Sequence, residues 1–536
     1  MWFGDARSHC TKVSANEALA ALKTKNIVVA AINTRSGSSG IDQKYSCDGS
    51  TATVGQASHI TIETKGTLTN NVSGSTGTVN AILDAVSKGI AQVGSAAAVS
   101  FSTETLETST HLYQSFFDAS DWSGDLRAFQ LDPETGSVSS SVWKAAELLD
   151  TKNPDNRVIL TMGWDDDTSG EVPAPFRWDS LSSAQKKDLR TDHGGTKEEA
   201  DSKGQARLAY LRGDRTNEGT AGYQFRLRGS VLGDIWHSSP IYYGKPNQQW
   251  PDTPAFGDGD KYSDFQASQA TRHGVVYVGS NGGMLHAFHE DTGEEILAYV
   301  PGNLYSDTVG NGYHQLSDPN FEHTSLYVDG TPRVTDAHIK TRAAPVESWR
   351  SVLIGTQGAG GSGLFALDVT DPSAFDESSA NEIVLWEFSD SDDPHLGKTY
   401  SRPDVALLNN GKWAVIIGNG PEDTATDSDA GEAQLFIITL EGGLDGTWTE
   451  GTDYWRITTN LGEESNRNGL FSPATVDLDG NGTADRVYAG DLHGRLWAFD
   501  LSSATARCAN QRIQAPSAQP LRKAIIIGRN SVICFT

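Results

Sequence analysis

The chain has 536 residues, enough for more than one ordinary domain and a large buried core. Its 55 glycines and 37% hydrophobic content favour short strands and many turns over a helical bundle. A formal net charge of −27 excludes nucleic acid or an anionic membrane surface as the main partner, and suits an exported protein that meets divalent cations. No run of about 20 apolar residues is present to form a transmembrane segment. The four cysteines, Cys10, Cys47, Cys508 and Cys534, form no C-x-x-C, so a zinc or redox motif is not expected. Cys10 and Cys47 read either as a disulfide pair of an oxidising compartment or as two small buried residues.

Residues 1–100 alternate helix and strand signals. "SANEALAALKTK" opens with Ser14 and Glu17 at capping-box spacing and continues as a helix. "NIVVAAINT" (26–34) is a continuous apolar run, as in a buried parallel strand. Val79, Ile82, Leu83, Val86 and Ile90 then share one helical face. "FGD", this element order and "GQASHITIETKGTL" resemble the C-terminal half of an α/β von Willebrand factor A domain. The D-x-S-x-S metal loop of such domains is missing, so Asp5, the matching late ligand, is expected to bind nothing. "MWFGDARSHC" carries no signal peptide, and the chain is expected to begin inside a domain.

Residues 101–230 mix aromatic and polar residues without a clear period and read as a connecting module. They contain Arg212-Gly213-Asp214, an integrin-type tripeptide that a buried Arg–Asp turn explains equally well.

A repeat begins near residue 231 and runs to 503. Pro240, Pro332, Pro403 and Pro473 each open a strand. An apolar strand containing Gly279, Gly355, Gly418 or Gly490 follows each of them, and then a third strand such as "GLFALD" or "RLWAFD". Three antiparallel strands per unit, with outer strands supplied by the spacers, describe four blades of an incomplete β-propeller in a mainly β protein. The prolines lie 92, 71 and 70 residues apart, so long loops decorate the blades.

The last unit holds "DLDGNGTAD". Numbered from Asp477, oxygen-bearing side chains fall at positions one, three, five and nine: Asp477, Asp479, Asn481 and Asp485. Gly482 stands at six and Thr483, through its main-chain carbonyl, at seven. Alternating oxygens around a glycine turn fit Ca2+, a hard cation with flexible coordination, better than Mg2+ with its small octahedral shell. Tyr488 stands at position twelve, where an EF-hand has its bidentate Glu, so this is an EF-hand-like loop within a β-hairpin. A solvated Asp/Asn/Gly turn is the alternative. Two other acidic stretches, "SDSDDPH" and "DTATDSDAGE", lack the alternation and read as solvated loops.

"LGDIWHSSPIYYG", "VYVGSNGGMLHAFHEDTG", "GLFALDVTDP", "WAVIIGNG", "YAGDLHGRLWAFDL" and the acidic loop together resemble the PilC/PilY family of type IV pilus biogenesis proteins. The resemblance implies a C-terminal propeller whose Ca2+ ligands are Asp477, Asp479, Asn481, Thr483 and Asp485. It implies a non-catalytic, calcium-dependent regulator of pilus extension and retraction. It also implies an adhesin at the pilus tip or outer surface, with the pilus machinery, minor pilins and host surface receptors as partners. Against the family, the chain is expected to be truncated at both ends. Residues 504–536 carry five Arg or Lys and no Asp or Glu, a composition break expected of a shifted reading frame.

"LHAFHEDTGEEILAYV" also resembles the repeat of quinoprotein dehydrogenases, propellers that hold pyrroloquinoline quinone beside calcium. Vicinal cysteines are absent, and the acidic loop is contiguous rather than drawn from several blades. His286, on a strand, reads as a packed core histidine rather than a base.

Overall fold

The computed structural model describes residues 111–131, 138–166, 170–321, 323, 325–422 and 424–502. It also describes short pieces before residue 102: 2–4, 19–20, 22–23, 31–33, 56–63, 68–69 and 99–101. All four cysteines, Asp5, the segment 79–90 and the basic tail lie outside the described residues. The chain forms two compact units, Met1–Ser95 with Phe117–Asp121, and Ala96–Phe116 with Trp122–Thr536.

In the first unit, β1 (Trp2–Gly4), β2 (Ala31–Asn33) and β3 (Leu68–Thr69) form a parallel sheet in that order. A helix, Gln56–Glu63, precedes β3. The buried Ala31 and Ala57 pack together with Leu68.

The second unit is built from antiparallel meanders. The first is β4 (Val99–Phe101), β5 (His111–Asp118), β6 (Ser123–Leu131) and β7 (Val138–Lys144). After β8 (Ile159–Asp165) and β9 (Gly170–Pro175) comes the meander β10 (Ile241–Tyr243), β11 (Val275–Ser280), β12 (Met284–His289) and β13 (Glu295–Val300). β8 joins the outer edge of β13 in parallel, making a six-stranded sheet. Two four-stranded meanders follow. One is β14 (Arg333–Ile339), β15 (Ser348–Thr356), β16 (Gly363–Asp368) and β17 (Val384–Ser389). The other is β18 (Asp404–Leu407), β19 (Trp413–Gly418), β20 (Glu432–Thr439) and β21 (Tyr454–Gly462). The last sheet has three strands, β22 (Ala474–Val476), β23 (Arg486–Gly490) and β24 (Leu496–Asp500).

Consecutive sheets stack face to face, which explains the unbroken apolar runs. A strand shows alternate side chains to opposite faces, so a run apolar at every position must be covered on both sides. In β19, Trp413, Val415 and Ile417 enter the core shared with β14–β17, whereas Ala414 and Ile416 enter the core shared with β22–β24. In β11, Val275 and Tyr277 face the β14–β17 sheet, and Val276 and Val278 face β4–β7. Each fully buried Val, Leu or Ile contributes on the order of 1.5–3 kcal/mol. Meanders stacked this way are the blades of a propeller. Among the described residues no sheet closes on itself.

The repeat positions fall in register. Each of Pro240, Pro332, Pro403 and Pro473 lies one residue before the first strand of its blade, where a missing N–H costs no ladder bond. Gly279, Gly355, Gly418 and Gly490 lie at or next to the end of the second strand. A Cβ on Gly279 would come within 2.4 Å of the Val328 carbonyl oxygen, and one on Gly418 within 2.3 Å of that of Leu470. These carbonyls belong to the chain crossing from one blade to the next, so the glycines let the crossing lie against the strand.

Residues 101–230 hold more order than their irregular periodicity predicts. Besides β4–β9 they form the helices Ala145–Thr151, Ser183–Arg190, opened by a Ser182/Gln185 capping box, and Asp201–Arg212. Leu189, Leu208 and Leu211 from these helices pack against Ala298 and Val300 of β13. Among the described residues no helix is long and apolar enough to cross a membrane.

Candidate metal centre

The acidic loop joins β22 to β23. The ladder pairs Val476 with Arg486, and the Asp485 amide donates to the Val476 carbonyl at 3.0 Å, closing a nine-residue loop. Inside it the Asp477 carboxylate accepts from the amides of Gly480 and Gly482, both at 2.7 Å. Those amides hold its pKa below the usual carboxylate range. Asp479 Oδ1 accepts from the Asn481 amide at 3.1 Å. Asn481 Oδ1 accepts from the Thr483 amide at 2.7 Å. Asp485 Oδ2 accepts from the Leu478 amide at 2.8 Å.

These bonds turn three carboxylates toward one centre: one oxygen from each of Asp477, Asp479 and Asp485 lies within 4.8 Å of the others. Asp477 and Asp479 are exposed, and Asp485 is buried at the loop's base. Among the described residues no Lys or Arg forms an ion pair with any of the three. Arg486, next to Asp485 in sequence, pairs with Asp500 at 2.9 Å. Like charges this close repel, and only hard oxygen donors face the centre, a donor set that fits Ca2+. Asn481 and Thr483 lie on the same loop: Thr483 Oγ1 donates to Asn481 Oδ1 at 2.5 Å and is 2.9 Å from Asn409 Oδ1, and Asn481 Nδ2 donates to Asp479 Oδ2 at 3.2 Å.

Two supports lie outside the motif. Gly482 adopts φ +88°, and a Cβ there would meet the Phe256 ring at 2.2 Å, so a glycine is required on both counts. Asn409, just beyond β18 of the neighbouring blade, donates to the carbonyls of Ala484 (3.0 Å) and Leu501 (3.2 Å) and to Asp485 Oδ1 (3.3 Å). The Ala484 amide in turn donates to the Leu407 carbonyl at 2.8 Å. Asn409 escapes sequence reading because it stands 68 residues before Asp477 in an ordinary "LNNGK" turn. Its role exists only once the blades stack.

The other candidate residues are placed differently. Arg212 ends the helix Asp201–Arg212, with Gly213 as its left-handed C-cap at φ +116°. The Arg212 guanidinium is buried and donates to the carbonyls of Phe176 (3.0 Å), Pro154 (3.0 Å) and Arg157 (2.8 Å) and to Glu377 Oε1 (3.0 Å). Asp214 Oδ1 accepts from the Thr216 amide at 2.8 Å. The tripeptide is thus a helix terminus whose arginine is committed to the interior. His286 is buried in β12, its Nδ1 2.7 Å from Glu295 Oε1, which Arg157 also holds. Burial lowers its pKa.

The two other acidic stretches are not simply solvated. Asp393 and His395 are buried, and His395 lies 3.0 Å from Asp393 and 2.9 Å from Asp427, joining the stretches. Arg456 pairs with Asp393 at 2.9 Å. A buried histidine and an arginine from elsewhere in the blade neutralise charges that look solvent-bound in sequence.

Comparison with known proteins agrees with this architecture. The family model of the PilY1 beta-propeller domain matches residues 232–521, more than half of the chain. The type IV pilus biogenesis factor PilY1 of Pseudomonas aeruginosa (strain PAK) is 39% identical over 395 residues, covering 72% of this chain and 30% of that protein. A PilY1 homolog of Xylella fastidiosa (strain Temecula1) is 35% identical over 425 residues, 79% of this chain and 30% of its own length. The chain therefore spans about a third of the length of these curated relatives. The crystal structure of the P. aeruginosa PilY1 C-terminal domain aligns at 38% identity over 48% of this chain and 45% of that one, with a TM-score of 0.36. By its propeller-domain match and its blade repeat, the chain belongs to the PilC/PilY family of type IV pilus biogenesis proteins.

Proposed function

We infer that the chain is a calcium-dependent, non-catalytic element of type IV pilus biogenesis, acting at the cell surface in contact with the pilus machinery and its minor pilins. Membership of the family supports the pilus role. The observation that supports calcium is the convergence of Asp477, Asp479 and Asp485, with no basic side chain among the described residues paired to them.

In this reading Asp477, Asp479 and Asp485 hold Ca2+ through their carboxylates, with Asn481 Oδ1 and the Thr483 carbonyl completing the set. The ion supplies charge neutralisation. The protein supplies the rest: amides of Gly480, Gly482 and Leu478 fix the carboxylates, and Asn409 ties the loop to the preceding blade. An empty loop keeps three mutually repelling carboxylates at a blade junction and loosens it, whereas a filled loop stiffens it. The surface read by pilus proteins, or by a host receptor, then depends on calcium.

The test is complementation of a strain lacking the gene, with the natural full-length protein carrying Asp477→Ala or Asp485→Ala. Surface pili counted by electron microscopy should lose their dependence on calcium in both variants. Calcium-responsive piliation identical to wild type in both would reject the reading.

A further inference from the structure

A second site lies at the opposite end of the inner strands from the acidic loop. Three residues before Pro240, Pro332 and Pro403 stand His237, Asp329 and Tyr400, each on the crossing that leads into a blade. These equivalent positions converge on a cavity of about 280 Å³, and Arg402 and Ser239 also line it. The corresponding residue of the fourth blade, Leu470, is buried in the core between blades instead.

The cavity has a fixed polar side. Asp329 is buried and lies 2.5 Å from His237 Nδ1, while its other oxygen accepts from the His237 amide and from Asn281 Nδ2, both at 3.3 Å. A carboxylate behind one ring nitrogen fixes the imidazole and leaves Nε2 to act. Among the described residues Nε2 has no hydrogen-bond partner, and the His237 side chain is 56% exposed. Arg402 is also exposed, and its guanidinium makes no hydrogen bond among the described residues. Asp404, the carboxylate nearest to it in sequence, is engaged by the Thr475 amide at 3.3 Å and by Arg333 at 3.7 Å. The Arg402 guanidinium thus lies in the field of Asp404 and Arg333 but keeps its N–H groups free of a hydrogen bond among the described residues.

The rim is aromatic. Tyr400 lines the cavity and is 50% exposed, whereas Trp236, outside the lining, stacks on His237 with centroids 5.1 Å apart and planes at 10° and so braces the imidazole. A flat ring beside hydrogen-bonding groups suits a ligand with one apolar face and a polar edge. A guanidinium recognises a carboxylate through paired N–H bonds. The cavity has room for about one sugar ring.

We propose that this cavity binds an acidic sugar residue, its carboxylate held by Arg402, a hydroxyl by His237 Nε2, and its ring against the Tyr400 face. The site does not rest on the calcium reading, since no residue is shared.

The test is isothermal titration calorimetry on the whole 536-residue chain with glucuronate, galacturonate and N-acetylneuraminate, and with acetate and glucose as partial ligands. At least one sugar acid should bind saturably, with acetate and glucose at least tenfold weaker. Arg402→Ala should weaken binding at least tenfold and Arg402→Lys less, both with unchanged melting temperature. Asp485→Ala should leave it intact. Failure of all three sugar acids, acetate binding as well as they do, or unchanged affinity in Arg402→Ala would overturn the proposal. If a variant's melting temperature falls, His237→Gln decides by the same tenfold criterion.

Discussion

Asn409 Nδ2 lies 3.3 Å from Asp485 Oδ1, a contact that joins one blade to the acidic loop of the next. The same amide group meets the Ala484 and Leu501 carbonyls, so one side chain secures both the loop and the residue that follows β24. Replacing Asn409 with Ala leaves these acceptors unpaired. It should cost about 1–3 kcal/mol of stability and weaken calcium binding about tenfold, read by urea unfolding with and without calcium. Unchanged stability and affinity would show that the inter-blade clamp is dispensable.

Calcium should raise the melting temperature of the wild-type chain. At a concentration one hundred times the dissociation constant the gain is about 2.7 kcal/mol. Asp477→Asn and Asp479→Asn remove charge from the centre and should abolish most of that shift in differential scanning calorimetry; Asp477→Asn should also slightly destabilise the calcium-free protein, because the Gly480 and Gly482 amides favour its charged form.

Gly482→Ala tests the turn itself. The new methyl meets the Phe256 ring in a backbone conformation that L-residues rarely adopt, so both the loop and the packing under it must move. The variant should lose about 1–3 kcal/mol and lose calcium binding together. Gly480, at φ +77° with nothing within 4 Å of a Cβ, should tolerate Ala better, with only the backbone strain to absorb.

Glu387 gives the second unit a pH dependence remote from the loop. It is buried, and burial pushes its pKa up to about 7, although Tyr299 and the amides of Gly302 and Asn303 donate to it. A carboxyl whose folded pKa lies above its unfolded value holds its proton more tightly when folded. Its contribution to stability is complete below the unfolded value of about 4.5 and is lost as pH rises through about 7. Stability measured by urea unfolding should therefore decline between pH 4.5 and 7, and Glu387→Gln should flatten that decline.

Arg212→Ala should behave as a core mutation. It strips donors from three buried carbonyls and from Glu377, and a loss of about 3–5 kcal/mol is expected, read as a lower unfolding midpoint. Asp214→Ala, which removes one turn bond to Thr216, should cost about 1 kcal/mol.

The blades were readable in the sequence because their signals are local. A proline before each inner strand and a glycine near the end of each second strand follow from ladder geometry and close backbone approach. An apolar run with a glycine marked the second strand of each blade, and β19 shows why such a run is apolar throughout: both of its faces are covered. The acidic loop was readable for the same reason, since alternation and a glycine turn lie within nine residues. Features made by chain distant in sequence were not readable. Asn409, the Phe256 floor and the His395 link between Asp393 and Asp427 arise from stacking and carry no local pattern. The β4–β7 meander was missed because its strands alternate buried and half-exposed residues irregularly, as in β5. Arg212-Gly213-Asp214 shows the converse hazard: a three-residue signal is local, but the burial of Arg212 is not.

The central claim is tested most directly by titrating calcium into the chain and its Asp485→Ala variant by isothermal calorimetry at matched pH and salt. One saturable site per chain, lost or weakened at least a hundredfold in the variant, is the predicted result. Equal affinity in the two proteins, or no calcium binding by the wild type, would contradict it.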